Sequence, residues 1–113
     1  MSILETDKID IVATRPGENG VELVITDHLD WDRFSEHCSL IQEKVNTYIA
    51  FVESGQMSRM ESPRIPPSPE VRITLALLED PPERAIQLFE QIKGALEGIG
   101  IGFEAEVHQQ RAG

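Results

Sequence analysis

The residues best equipped for chemistry lie between positions 27 and 37. Asp27-His28-Leu29-Asp30-Trp31-Asp32 gathers carboxylates, an imidazole and the only Trp of the chain, and His37 follows shortly after. Carboxylates suit hard cations, and imidazole adds affinity for zinc and other transition metals. One reading is therefore a divalent-metal site built from Asp27, His28, Asp30, Asp32 and His37. The other is structural: Asp30 caps the following helix, Asp32 answers its dipole, and Asp27 or His28 bonds turn backbone. Spacing favours the structural reading. Counted from Asp27 or from Asp30, no Gly stands sixth and no Glu twelfth, which excludes an EF-hand loop. Neither HExxH nor paired Cys spacing occurs. No metal or other cofactor is expected.

His37-Cys38 suggests a base beside a nucleophile. Adjacent helical residues point about 100° apart and do not face each other. Cys38 also falls on an apolar stripe, where a free Cys behaves as a small hydrophobe. Trp31 stands at the start of the helix. It is expected to staple that end to the core, and its alternative role is as an anchor for a partner. The glycines at 94, 98, 100 and 102 do not link a strand to a helix, so they form no phosphate loop, and GxSxG and Walker patterns are missing.

These residues must be positioned by one domain, since the chain has 113 residues. A chain of that size buries roughly two thirds of its unfolded surface, which supports a core without staples. Net charge is -10, and no Lys/Arg cluster offers a footprint for a phosphate backbone, so nucleic acid is not an expected partner. Cys38 is the only cysteine, so an internal disulfide is impossible and a reducing compartment fits. No apolar run approaches membrane-spanning length, and MSILETDK lacks the basic and apolar regions of a signal peptide. A cytoplasmic protein that does not enter the membrane is expected.

The longest periodic segment organises the rest. Phe34, Cys38, Ile41, Val45, Tyr48 and Val52 recur at spacings of three and four, while Arg33, Glu36, Glu43, Lys44 and Thr47 fall opposite. A helix from Trp31 to Glu53 is predicted, capped by Asp30 and ended by Ser54-Gly55. Before it, Ile9, Ile11 and Ala13 alternate with Asp10, Val12 and Thr14. Val21, Leu23 and Ile25 alternate with Glu22, Val24 and Thr26. The turn chemistry of Arg15-Pro16-Gly17-Glu18-Asn19-Gly20 between the two runs predicts a hairpin. Residues 54–70 form a Pro-rich loop whose two PxxP spacings, Pro63 to Pro66 and Pro66 to Pro69, read as a plain crossover connection. A strand with Val71, Ile73, Leu75 and Leu77 inward comes next. Asp80-Pro81-Pro82-Glu83 then opens a second helix with Asp80 as cap and Ile86, Phe89, Ile92, Leu96 and Ile99 at helical spacing. Ile101, Phe103, Ala105 and Val107 make the last strand. Residues 1–6 and 109–113 are expected to fray.

The order ββαβαβ predicts an α+β, two-layer α/β sandwich: a four-stranded mixed sheet with two helices on one face. The second βαβ unit should be right-handed with parallel strands. The outer face should carry Asp10, Glu22, Thr26, Arg72, Thr74, Glu104 and Glu106, with Val12, Val24, Ala76 and Leu78 as a modest apolar patch suited to a weak homodimer.

DKID at 7–10, DHLDW at 27–31 and LIQEKVNTYIAFVESGQ at 40–56 resemble a family of small bacterial proteins catalogued only as a domain of unknown function. The resemblance implies a small stand-alone bacterial protein and brings no activity, cofactor or site residue. Two functional classes stand side by side. The first is a non-enzymatic protein-binding or regulatory module whose acidity suits a partner with a basic surface. The second is a small metal-dependent or ligand-binding enzyme using the 27–37 cluster.

Overall fold

Period-two alternation and helical spacing produce β1 (Ile11–Thr14), β2 (Gly20–Asp27), α1 (Phe34–Glu53), β3 (Glu70–Leu77), α2 (Glu83–Glu97) and β4 (Ile101–Val107), the order the sequence predicts. A 3-10 turn over Met57–Arg59 follows α1. The structure, a computed structural model, describes residues 3–14, 19–61, 65 and 69–107. Arg15–Glu18 of the hairpin turn, Pro63, Pro66 and Pro67 of the PxxP spacings and the tail 109–113 lie outside the described residues.

The sheet order is β1-β2-β3-β4. β1 is antiparallel to β2, and β2, β3 and β4 run parallel, so the sheet is mixed as expected. Successive crossovers of one hand that step the same way along a sheet put both helices on one face. The helices do lie side by side, since Val45 and Ile49 of α1 share one groove with Leu88 and Ile92 of α2. Register stacks the inward residues in rows: Leu23, Ile73 and Phe103 align, as do Ile25, Leu75 and Ala105. Against these rows α1 buries Ile41, Val45 and Tyr48, and α2 buries Ala85, Phe89, Ile92 and Leu96. A fully buried aliphatic side chain contributes about 1.5–3 kcal/mol.

Both helices end as their glycines indicate. Gly55 at φ 84 and Gly100 at φ 80 adopt the left-handed conformation that turns the chain out of α1 and α2.

Several expectations are corrected. In β1, Val12 pairs with Leu23 and shares its inward face, while Ile11 pairs with Val24 on the outer face and is exposed. The faces of β1 are therefore reversed, and Ile11 replaces Val12 in the outer apolar patch. Asp10, expected on the solvated face, has its side chain buried on Lys44, which is expected on the solvated side of α1 and is fully buried. The buried stripe of α1 is His37, Ile41, Lys44, Val45 and Tyr48. Phe34, Cys38 and Val52 are half-buried at its flank. Ile86 of α2 is exposed, and Ile99, which lies past the end of α2 at Glu97, is exposed too. Neither Asp30 nor Asp80 caps a helix: α1 begins at Phe34 behind Arg33, α2 begins at Glu83 behind Pro82, and neither start has a side-chain cap bond. Thr74, placed on the solvated face, is buried and donates to Glu22. Within the segment read as a frayed end, Ile3 is fully buried in the core.

Candidate functional site

β2 carries Val21, Leu23 and Ile25 inward, and the same alternation brings Asp27 to the next inward position. The carboxylate therefore enters the core at the C-terminal end of a parallel strand. Seven positions later α1 starts at Phe34, and its buried stripe begins at His37. The side chains meet: His37 Nε2 lies 2.5 Å from Asp27 Oδ2, with both side chains at 2 % exposure or less. The other Asp27 oxygen accepts from Leu29 N at 3.1 Å, an Asx turn that bends the chain out of β2. His37 Nδ1 is 2.9 Å from the carbonyl of Asp30. A carbonyl only accepts, so Nδ1 carries a hydrogen and donates. A bond at Nε2 then requires a further proton shared between imidazole and carboxyl.

Trp31 closes the cluster. Its ring stacks on His37 at 3.8 Å, and Nε1 donates to Glu79 O at 3.4 Å. Phe34 and Phe89 flank it at 6.1 and 6.3 Å. One indole thus ties the start of α1 to the β3–α2 connection and to α2. Its stapling role works through His37 as well as through Phe34, one turn on.

Of the residues singled out by sequence, the structure brings together Asp27, His37 and Trp31. Asp30 joins through its main chain only, while its carboxylate accepts from Asp32 N at 3.1 Å. His28, Asp30 and Asp32 are exposed. Among the described residues no three of His, Cys, Asp and Glu are placed to hold a metal ion. The chemistry open to the dyad is limited. An Asp-oriented His acts as a base through its second nitrogen, which must face substrate. Here that nitrogen faces a backbone carbonyl, and the ring is 2 % exposed. Cys38 is half-buried, and burial pushes its thiol up, partly offset by Arg84. That shift leaves it a poor nucleophile at neutral pH.

A second buried polar cluster was missed. Lys44 Nζ donates to Glu5 O at 2.6 Å, to Lys8 O at 2.7 Å and to Asp10 Oδ1 at 2.9 Å. Asp10 Oδ2 accepts from Thr26 N at 3.0 Å and from Thr26 Oγ1 at 3.2 Å. Tyr48 accepts from Asp10 N and donates to Val24 O, both at 2.8 Å. Burial pushes the Tyr48 phenol above its ordinary range. Thr47 Oγ1 donates to Thr6 O. This cluster lashes residues 5–10 across α1. The signal was available: Lys44 stands three residues after Ile41 and four before Tyr48, so it belongs to their face. Both clusters draw on the stretches DKID, DHLDW and QEKVNTY.

Three concave surfaces lie elsewhere. About 200 Å³ opens at the start of β2 and β3 beside Glu22, Glu70 and Arg72. A groove of about 220 Å³ separates the helices. A third, of about 290 Å³, lies between α2 and β4 and is mostly apolar. None is lined by Asp27 or His37. No helix among the described residues is long and apolar enough to cross a membrane.

Comparison with curated proteins and with solved structures yields no match. The model of a family of unknown function, DUF6572, matches residues 1–109, and the protein belongs to that family.

Proposed function

We propose that the protein is a non-enzymatic protein-binding or regulatory module of the bacterial cytoplasm. One observation carries the reading: the His37–Asp27 dyad, the best-equipped pair in the chain, spends its polar atoms inside the fold. What faces outward is an acidic surface, with net charge -10, and apolar grooves beside the helices. Such a field favours a partner with a basic surface. The single cysteine fits a reducing compartment.

Affinity capture of the tagged chain from its native host, at low and at moderate salt, tests this. A stoichiometric basic protein, released by salt, is the expected result. A stoichiometric micromolar metal site lost in Asp27→Ala or His28→Ala would overturn it in favour of a metal-dependent enzyme built on residues 27–37.

Self-association is a second reading, favoured by Ile11, 44 % exposed beside its register partner Val24 on the outer sheet face. A weak homodimer through that face should strengthen with salt, which screens the like charge of the subunits over about 10 Å. Sedimentation of the wild type and of Val24→Glu decides it; a monomer at all salt concentrations rejects it.

A further inference from the structure

β4 is an edge strand: among the described residues it pairs with β3 alone. Its inward side chains reach past α2, and the space left there is the groove of about 290 Å³. Leu77, Ile86, Phe89, Phe103, Ala105 and Val107 line it. Ile86 and Val107 are 44 % and 39 % exposed, high for branched aliphatic residues beside a core. Glu90 and Lys93 of α2 stand at the rim. On the other face of the same strand the alternation places Glu104 and Glu106. Glu104 meets Arg72 at 3.8 Å, with both side chains about half exposed, a weak surface pair.

We propose that the edge of β4 left unpaired among the described residues docks an extended segment of a partner protein as a fifth strand, with apolar and basic residues in alternation. The inference rests on the protein-binding reading above. Strand addition draws affinity from main-chain hydrogen bonds and selectivity from alternate side chains. Inward residues of the added strand fill the groove beside Ile86 and Val107. Outward residues stand beside Glu104, where Lys or Arg is attracted and Asp or Glu repelled. The same charges disfavour a second copy: two β4 strands set edge to edge bring acidic residues against acidic residues on a chain of net charge -10. The partner is thus a basic strand and not this chain.

The test uses the full chain, isotope-labelled, and two capped octapeptides, one alternating Val and Lys and one alternating Val and Glu. The Val/Lys peptide should shift amide resonances of β4 and of the Ile86–Lys93 face of α2, and the Val/Glu peptide should not. Ile86→Asp and Glu104→Lys change exposed side chains, so the fold is retained, and each should weaken the Val/Lys peptide by about tenfold. Equal shifts from both peptides, shifts confined to other elements, or no shifts at all overturn the proposal. Capture from cells separates it from the broader reading. A partner retained by both variants leaves the protein-binding reading standing and rejects the β4 edge. Failure of the wild-type chain to capture any partner rejects the broader reading and the β4 inference with it.

Discussion

Replacing Lys44 by Met tests the architecture most directly. Met keeps the length of the stem and removes the charge. Lys44 is fully buried and its ammonium makes short bonds to Glu5 O, Lys8 O and Asp10 Oδ1. The substitution leaves the buried Asp10 carboxylate with only its Thr26 contacts. Removing one member of a buried ion pair costs about 3–5 kcal/mol. The lower figure applies here, because the Asp10 carboxylate keeps its two bonds from Thr26. A loss of about 3 kcal/mol is a large share of the roughly 5–15 kcal/mol that holds a domain together. At about 4 °C per kcal/mol it lowers Tm by about 12 °C. Urea melts followed by the single Trp measure the loss, and hydrogen exchange should show the Asp10 amide, held by Tyr48, exchanging faster. A double-mutant cycle with Asp10→Asn should show coupling above about 1 kcal/mol. A cost below about 1 kcal/mol for Lys44→Met, or strict additivity in the cycle, would refute a desolvated pair.

Further outcomes follow from the same geometry. His37→Ala should cost about 3–5 kcal/mol, since Asp27 then lies buried without its partner; native-state Trp31 fluorescence should change because its stacked neighbour is gone. Asp30→Ala should change stability by less than about 0.5 kcal/mol, the range of exposed sites, because its contact to His37 runs through the backbone; a loss near 1 kcal/mol would restore the capping role. Tyr48 is the only tyrosine and burial holds its phenol above the ordinary range, so stability is full below about pH 10 and falls above it as the unfolded phenol ionises first. Phenolate absorbance should therefore appear only together with unfolding, and a phenolate titrating near pH 10 in the folded chain would contradict the burial. Calorimetric titration with zinc, manganese and calcium should give no stoichiometric site, since His28, Asp30 and Asp32 are exposed and no three of His, Cys, Asp and Glu among the described residues are placed to hold a metal ion.

Much of this protein is determined by local pattern. Alternation at Val21-Leu23-Ile25, at Val71-Ile73-Leu75-Leu77 and at Ile101-Phe103 sets the strands, and Ser54-Gly55 marks where α1 ends. These features depend on a residue's own neighbours, so the order ββαβαβ is legible from the chain alone. The tertiary structure decided what depends on distant partners. Asp10 and Lys44 looked solvated because a charge is costly to bury alone; each is buried because the other is there, 34 residues away. Asp27 and His37 were both visible as candidates, but a ligand pair and a structural dyad have the same composition. Only the packing of α1 on β2 sets Nδ1 of His37 against a backbone carbonyl and buries the ring. The faces of β1 were reversed for a related reason: four residues of weak alternation leave the face of an edge strand to its register with β2, and that register pairs Val12 with Leu23.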